Sequence, residues 1–134
     1  MGFYSINGGS SITFPRRSRS EDVCEAFEAI RSANGSDPVV IILDNFRAHH
    51  SRKVAECAEE LDITRVFLPP YSPHLNPIEF IWKTLKRIVS KVRIISWDHM
   101  TDLLGNAFKE EASKDSYFGY WTKLFHGELF KIVR

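Results

Sequence analysis

Cysteine is scarce in this chain: Cys24 and Cys57 are the only two in 134 residues, and no CxxC spacing joins them. Each falls in a segment that reads as helix, so both are expected to be reduced, buried thiols without a metal or redox role. Long apolar runs are missing too. Nothing approaches the roughly 18 residues of a membrane span, and the first twenty residues lack the charged-then-apolar order of a secretory leader. The cytoplasm is therefore the expected compartment, with association to the nucleoid if the source is prokaryotic. Neither an internal repeat nor a low-complexity linker interrupts the chain, so one domain is expected over 1–134. It would comprise a strand hairpin over 1–15, a core over 20–92 and C-terminal helices over 96–131.

Acidic residues are absent from two places where their absence is informative. Residues 1–20 carry three Arg and no acid, and residues 63–93 carry six basic residues and a single acid, Glu79. The intervening stretch, 21–62, is acidic by six charges, so the near-neutral total of +1 conceals a strong segregation. A lone carboxylate among Lys83, Lys86, Arg87, Lys91 and Arg93 suits a site that handles a polyanion, although a solvated helix face would look the same.

With 43% hydrophobic and 26% charged residues, the composition is that of an ordinary globular domain and excludes a disordered or fibrous chain. Phe3–Ile6 and Ser11–Phe14 are β-prone runs around Asn7-Gly8-Gly9, a hairpin turn signal because these residues tolerate positive φ. Ser20 is placed to cap a helix of about fourteen residues carrying Val23, Phe27 and Ile30 and ending near Asn34-Gly35. Val39–Leu43 is apolar at consecutive positions, the pattern of a central strand buried on both faces. A helix from about Ser51 to Leu61 and a strand from Thr64 to Leu68 follow. Three prolines within Pro69–Pro73 then make a stiff connection that is neither regular helix nor central strand. From Pro77 a strong helix aligns Ile78, Ile81, Trp82, Leu85 and Val89, and further helices are expected from Ser96 to about Lys114 and from Tyr117 to about Lys131. The order predicts an α/β fold with a mixed sheet.

Asp44 stands at the carboxyl end of the most apolar strand, where open α/β sheets place their ligand crevices. Asp44-Asn45 is also an ordinary turn pair. Glu79 likewise has a structural explanation: with Asn76 as N-cap and Pro77 as first helical residue, its carboxylate would reach back to a backbone N–H in a capping box.

The combination points further. Leu43-Asp44-Asn45 with His49 five residues after Asp44, and Leu68-Pro69-Pro70-Tyr71-Ser72-Pro73-His74-Leu75-Asn76-Pro77-Ile78-Glu79 with Trp82 three beyond, closely resemble the signature of insertion-sequence and mariner-type DDE transposases. Thirty-four residues stand between Asp44 and Glu79, the spacing of that superfamily. The resemblance covers residues 39–92 most fully. It implies an RNase H-like fold in which two Asp and one Glu hold two divalent cations, Mg²⁺ or Mn²⁺, for DNA strand cleavage and strand transfer. Asp44 matches the second acid and Glu79 the third. Asn45 and His49 are implied near the scissile phosphate, although His49 as a plain helix-start residue is an equal reading, and Lys83, Lys86 and Arg87 are implied DNA contacts. His50 and His74 are read as surface residues. The family's first Asp belongs on a strand before Phe3–Ile6 and finds no match here, so the chain is expected to be truncated at its N-terminus and inactive by itself. The implied partners are DNA and either a second copy or a complementing N-terminal transposase fragment. The alternative is a non-catalytic DNA-binding or regulatory remnant.

Overall fold

The computed structural model describes residues 1–6, 9–114, 117 and 119. The chain divides into two compact units, one formed by Met1 with Thr13–Pro73 and the other by Gly2–Ile12 with the residues from His74 on.

In the first unit, α1 (Ser20–Asn34) begins on the backbone N–H of Arg19, which donates to Asp22 Oδ2 at 2.7 Å. Ser20, expected to cap this helix, is instead its first residue, because the acid in the first turn satisfies the N-terminal N–H from inside the helix. Gly35, at φ +55°, ends α1 in a backbone conformation that L side chains rarely adopt. Strand β3 (Val39–Leu43) pairs in parallel with β4 (Ile63–Phe67), from Val39 opposite Ile63 to Leu43 opposite Phe67. Between them runs α2 (Arg52–Glu60), capped by Ser51 Oγ, which accepts from Val54 N at 3.3 Å. Helix α2 packs on both α1 and β4.

Val23, Phe27 and Val54 are fully buried in this unit, and each contributes on the order of 1.5–3 kcal/mol by leaving water. Strand β3 corrects an expectation. Ile41 and Leu43 are buried, but Val40 is 62% exposed and Ile42 38%. An apolar run buries both faces only where both are covered. Side chains of a strand alternate, and among the described residues one face of β3 is covered.

The second unit holds β1 (Gly2–Phe3) antiparallel to β2 (Ser11–Ile12), with Gly2 opposite Ile12 and Phe3 opposite Ser11. The ladder is shorter than the β-prone runs, and Asn7-Gly8 of the expected turn lies outside the described residues. Helices α3 (Ile78–Val89) and α4 (Trp97–Ala112) pack together around Ile78, Ile81, Leu85, Ala107 and Phe108, with Tyr4, Ile12 and Trp82 against this core. Gly2 is required by that packing: a Cβ there would stand 2.5 Å from Cη2 of Trp82. Ser96 Oγ caps α4 by accepting from His99 N at 3.0 Å. Near the end of α4, Glu111 is buried and accepts from Lys114 Nζ at 2.6 Å and Tyr117 Oη at 2.5 Å. These two donors hold its carboxyl below the usual carboxylate range.

The class is α/β, in keeping with an RNase H-like fold, with the described strands standing as two separate pairs and not as one mixed sheet. Among the described residues no helix is long and apolar enough to cross a membrane. Both cysteines are free thiols, and burial together with the neighbouring Cys24 side chain pushes Cys57 up to about 12. The helix expected over 117–131 lies outside the described residues, save Tyr117 and Gly119.

Candidate functional site

The parallel register of β3 and β4 brings the loops at their carboxyl ends side by side. Asp44, the first residue after β3, folds its side chain back so that Oδ1 accepts from Phe46 N at 3.0 Å. The same oxygen lies 3.0 Å from His49 Nδ1. A single 3-10 turn, Arg47–His50, carries His49 back to this position. The His49 side chain is only 13% exposed while that of Asp44 is 53% exposed, so the imidazole stands behind the carboxylate and not in front of it. Arg65 on β4 donates from Nη1 to His49 O at 3.1 Å, and the Phe46 ring meets the imidazole edge-on at 5.5 Å. Oδ2 of Asp44 has no protein donor among the described residues. The turn reading of Asp44-Asn45 is therefore realised, and it consumes only one carboxylate oxygen.

Asn45 ties the same loop to the end of β4. Its Nδ2 donates to Leu68 O at 2.6 Å, and Leu68 N donates to Leu43 O at 2.8 Å, extending the ladder by one step. With Nδ2 so engaged, Asn45 Oδ1 is left to accept from His50 Nε2 at 3.1 Å, which places the imidazole proton on Nε2. His50 in turn stacks on Phe67, ring centroids 4.3 Å apart at 17°. His50 is exposed, as a surface residue should be, but it also holds Asn45. Sequence reasoning had no handle on this, because residues five apart share no face in a regular helix or strand.

In the second unit, Pro77 and not Asn76 stands at the N-cap of α3, yet Asn76 Oδ1 accepts from Ile78 N at 3.3 Å and Asn76 O from Glu79 N at 3.1 Å, so Asn76 still satisfies N–H groups of the first turn from one residue further out. The other half of the capping box does not form. Glu79 is half-buried, and among the described residues its carboxylate makes no hydrogen bond or ion pair. Lys83, Lys86 and Arg87 are exposed, and Lys83 and Lys86 form no ion pair among the described residues. At about 100° per residue, Glu79, Lys83 and Lys86 share one flank of α3, beside the buried stripe of Ile78, Ile81 and Leu85.

The structure thus gathers Asp44, Asn45 and His49 in one unit, and Glu79, Lys83, Lys86 and Arg87 on one helix of the other. Among the described residues no three His, Cys, Asp or Glu side chains form a metal-holding group. A family model described as DDE superfamily endonuclease matches residues 1–101. The chain belongs to that family. All seven of these residues fall within the stretch shared with the DDE endonucleases, whose members generally use divalent metal ions. No curated protein matches the chain.

Proposed function

We propose that this DDE endonuclease-family chain is a transposase catalytic domain that cleaves DNA strands and transfers their ends. The observation that carries the reading is the state of the two acids. Asp44 has one oxygen tied back by Phe46 N and His49, and among the described residues its other oxygen and the carboxylate of the half-buried Glu79 have no partner. Carboxylate oxygens that water reaches and no protein donor engages among the described residues are open to a cation, and a set of hard oxygen donors fits Mg²⁺ or Mn²⁺ better than a softer metal.

Asp44 and Glu79 would hold such ions, which when bound polarise phosphoryl oxygens and make a water or a DNA 3′-hydroxyl a stronger nucleophile. The protein's own contribution is orientation. His49 and Phe46 N–H fix the rotation of the Asp44 carboxylate, so that Oδ2 faces outward. Asn45 pins its loop to β4. Lys83, Lys86 and Arg87 offer charge to the DNA backbone.

Calorimetric titration with Mn²⁺ tests the assignment. Asp44→Ala and Glu79→Ala are each expected to abolish binding that the unaltered chain shows, and unchanged affinity in both would overturn it. Lys83 and Lys86, exposed and without an ion-pair partner among the described residues, also favour a second reading, a DNA-binding remnant without nuclease activity. That reading predicts metal-independent DNA binding that weakens steeply with salt and is lost on reversing both charges.

A further inference from the structure

Two non-glycine residues among those described have positive φ: Asp62 at +52° and Tyr71 at +56°. Asp62 closes the turn after α2 and belongs to a residue type that tolerates this conformation through its short polar side chain. Tyr71 has no such excuse. It is an aromatic residue in a backbone region that disfavours it, and its side chain is fully exposed, so it gains nothing from burial. A strained residue that does not pack contributes nothing to the fold, and such positions concentrate where a ligand is met.

The backbone that carries the ring is also constrained. Pro69 and Pro70 precede it and Pro73 follows, and Ser72 Oγ donates to Pro70 O at 3.2 Å across it. The base of this loop, Leu68, is bonded to the loop of Asp44 through Leu43 O and Asn45 Nδ2, so the two loops share one end of the parallel strand pair. An exposed aromatic ring on a loop tied at its base to the loop of an acid proposed for phosphodiester chemistry offers a stacking face to a nucleobase. Such a face is available only to a base outside the duplex stack.

We propose that Tyr71 is a DNA-contacting residue that stacks on an unpaired base next to the scissile phosphate. The site would therefore favour frayed or single-stranded junctions over intact duplex. This deepens the proposed transposase function and rests on it for the identity of the ligand.

The test compares binding of the full chain, in the presence of a chelator, to two fluorescent oligonucleotides of one sequence. One is fully paired, and the other carries an unpaired extension with 2-aminopurine at its first position. The unaltered chain is expected to prefer the extended form by roughly fivefold to a hundredfold and to quench the 2-aminopurine. Tyr71→Phe keeps that preference. Tyr71→Gly loses it and melts at the same or a higher temperature, because glycine relieves the positive φ while no packing is lost. Absence of any preference in the unaltered chain overturns the proposal. So does a Tyr71→Gly variant that retains the preference, as it would if the ring met a protein partner, or that loses affinity for both DNAs equally or melts lower. Since the chelator removes the cation-binding acids from the measurement, unchanged Mn²⁺ affinity in Asp44→Ala would defeat the catalytic reading while leaving the stacking result standing.

Discussion

Asp44 and Glu79 are the same chemical group in opposite circumstances. Asp44 leans on an imidazole and a backbone N–H, and its loop is tied to β4 by Asn45. Glu79 leaves a capped helix start with nothing on its carboxylate among the described residues, although it is the less exposed of the two. The first acid is oriented by its neighbours. The second is held by no protein donor among the described residues, and its orientation is left to the helix that carries it. If both acids hold cations as proposed, one is prepared by fixing its geometry and the other by leaving its oxygens open, one in each unit.

The largest expected effects test whether each acid rests on its own core. Phe27→Ala in the first unit and Phe108→Ala in the second, both at fully buried positions, should each cost about 3–5 kcal/mol in urea unfolding followed by circular dichroism. A variant losing well under 1 kcal/mol would show that its unit is not built around that ring.

A smaller loss should follow acidification of the second unit. Glu111 is held ionised below the usual carboxylate range by Lys114 first and Tyr117 next, so its contribution is complete above the ordinary carboxylate pKa and disappears as pH falls through the lowered value. Thermal melts from neutral to acid pH should show a decline that Glu111→Gln flattens, and an equal decline in that variant would place the acid sensitivity elsewhere.

The comparison itself is sharpened by removing what supports each acid. His49→Ala frees the Asp44 carboxylate and should weaken Mn²⁺ binding by roughly 10–100-fold, the range for losing a residue that orients a metal ligand, with little change in melting temperature. Asn76→Ala should do the reverse, lowering stability by about 1 kcal/mol through the lost hydrogen bond to Ile78 N while leaving Mn²⁺ affinity as it was. If both variants lost affinity alike, the contrast between a tethered and an untethered acid would collapse.

Much of the fold was legible because its signals are local. The apolar spacing over Ile78, Ile81 and Leu85, the helix starts near Ser51 and Ser96, and the glycine after Asn34 are each set within one or two turns of chain, and these helices formed close to where they are expected. Local signals also misled where two local solutions compete. Ser20 and Asp22 both offer an oxygen to the start of α1, and the acid is the one that engages. Asp44 and Glu79 stood out through their spacing and neighbours. Their surroundings did not, because the Asn45 to Leu68 bond spans 23 positions and His50 reaches Asn45 only through a 3-10 turn.

The sequence alone therefore determined where helices and strands lie, which two acids stand out, and the family to which the chain belongs, since periodicity, capping and motif spacing are written along the chain. Tertiary structure alone decided that His49 stands behind Asp44 and, among the described residues, that one face of β3 is left bare, that the capping box at Glu79 stays open and that Tyr71 is presented at positive φ without packing. Those outcomes depend on which distant segments meet, and contacts across a parallel strand pair and two loops leave no periodic trace in either segment.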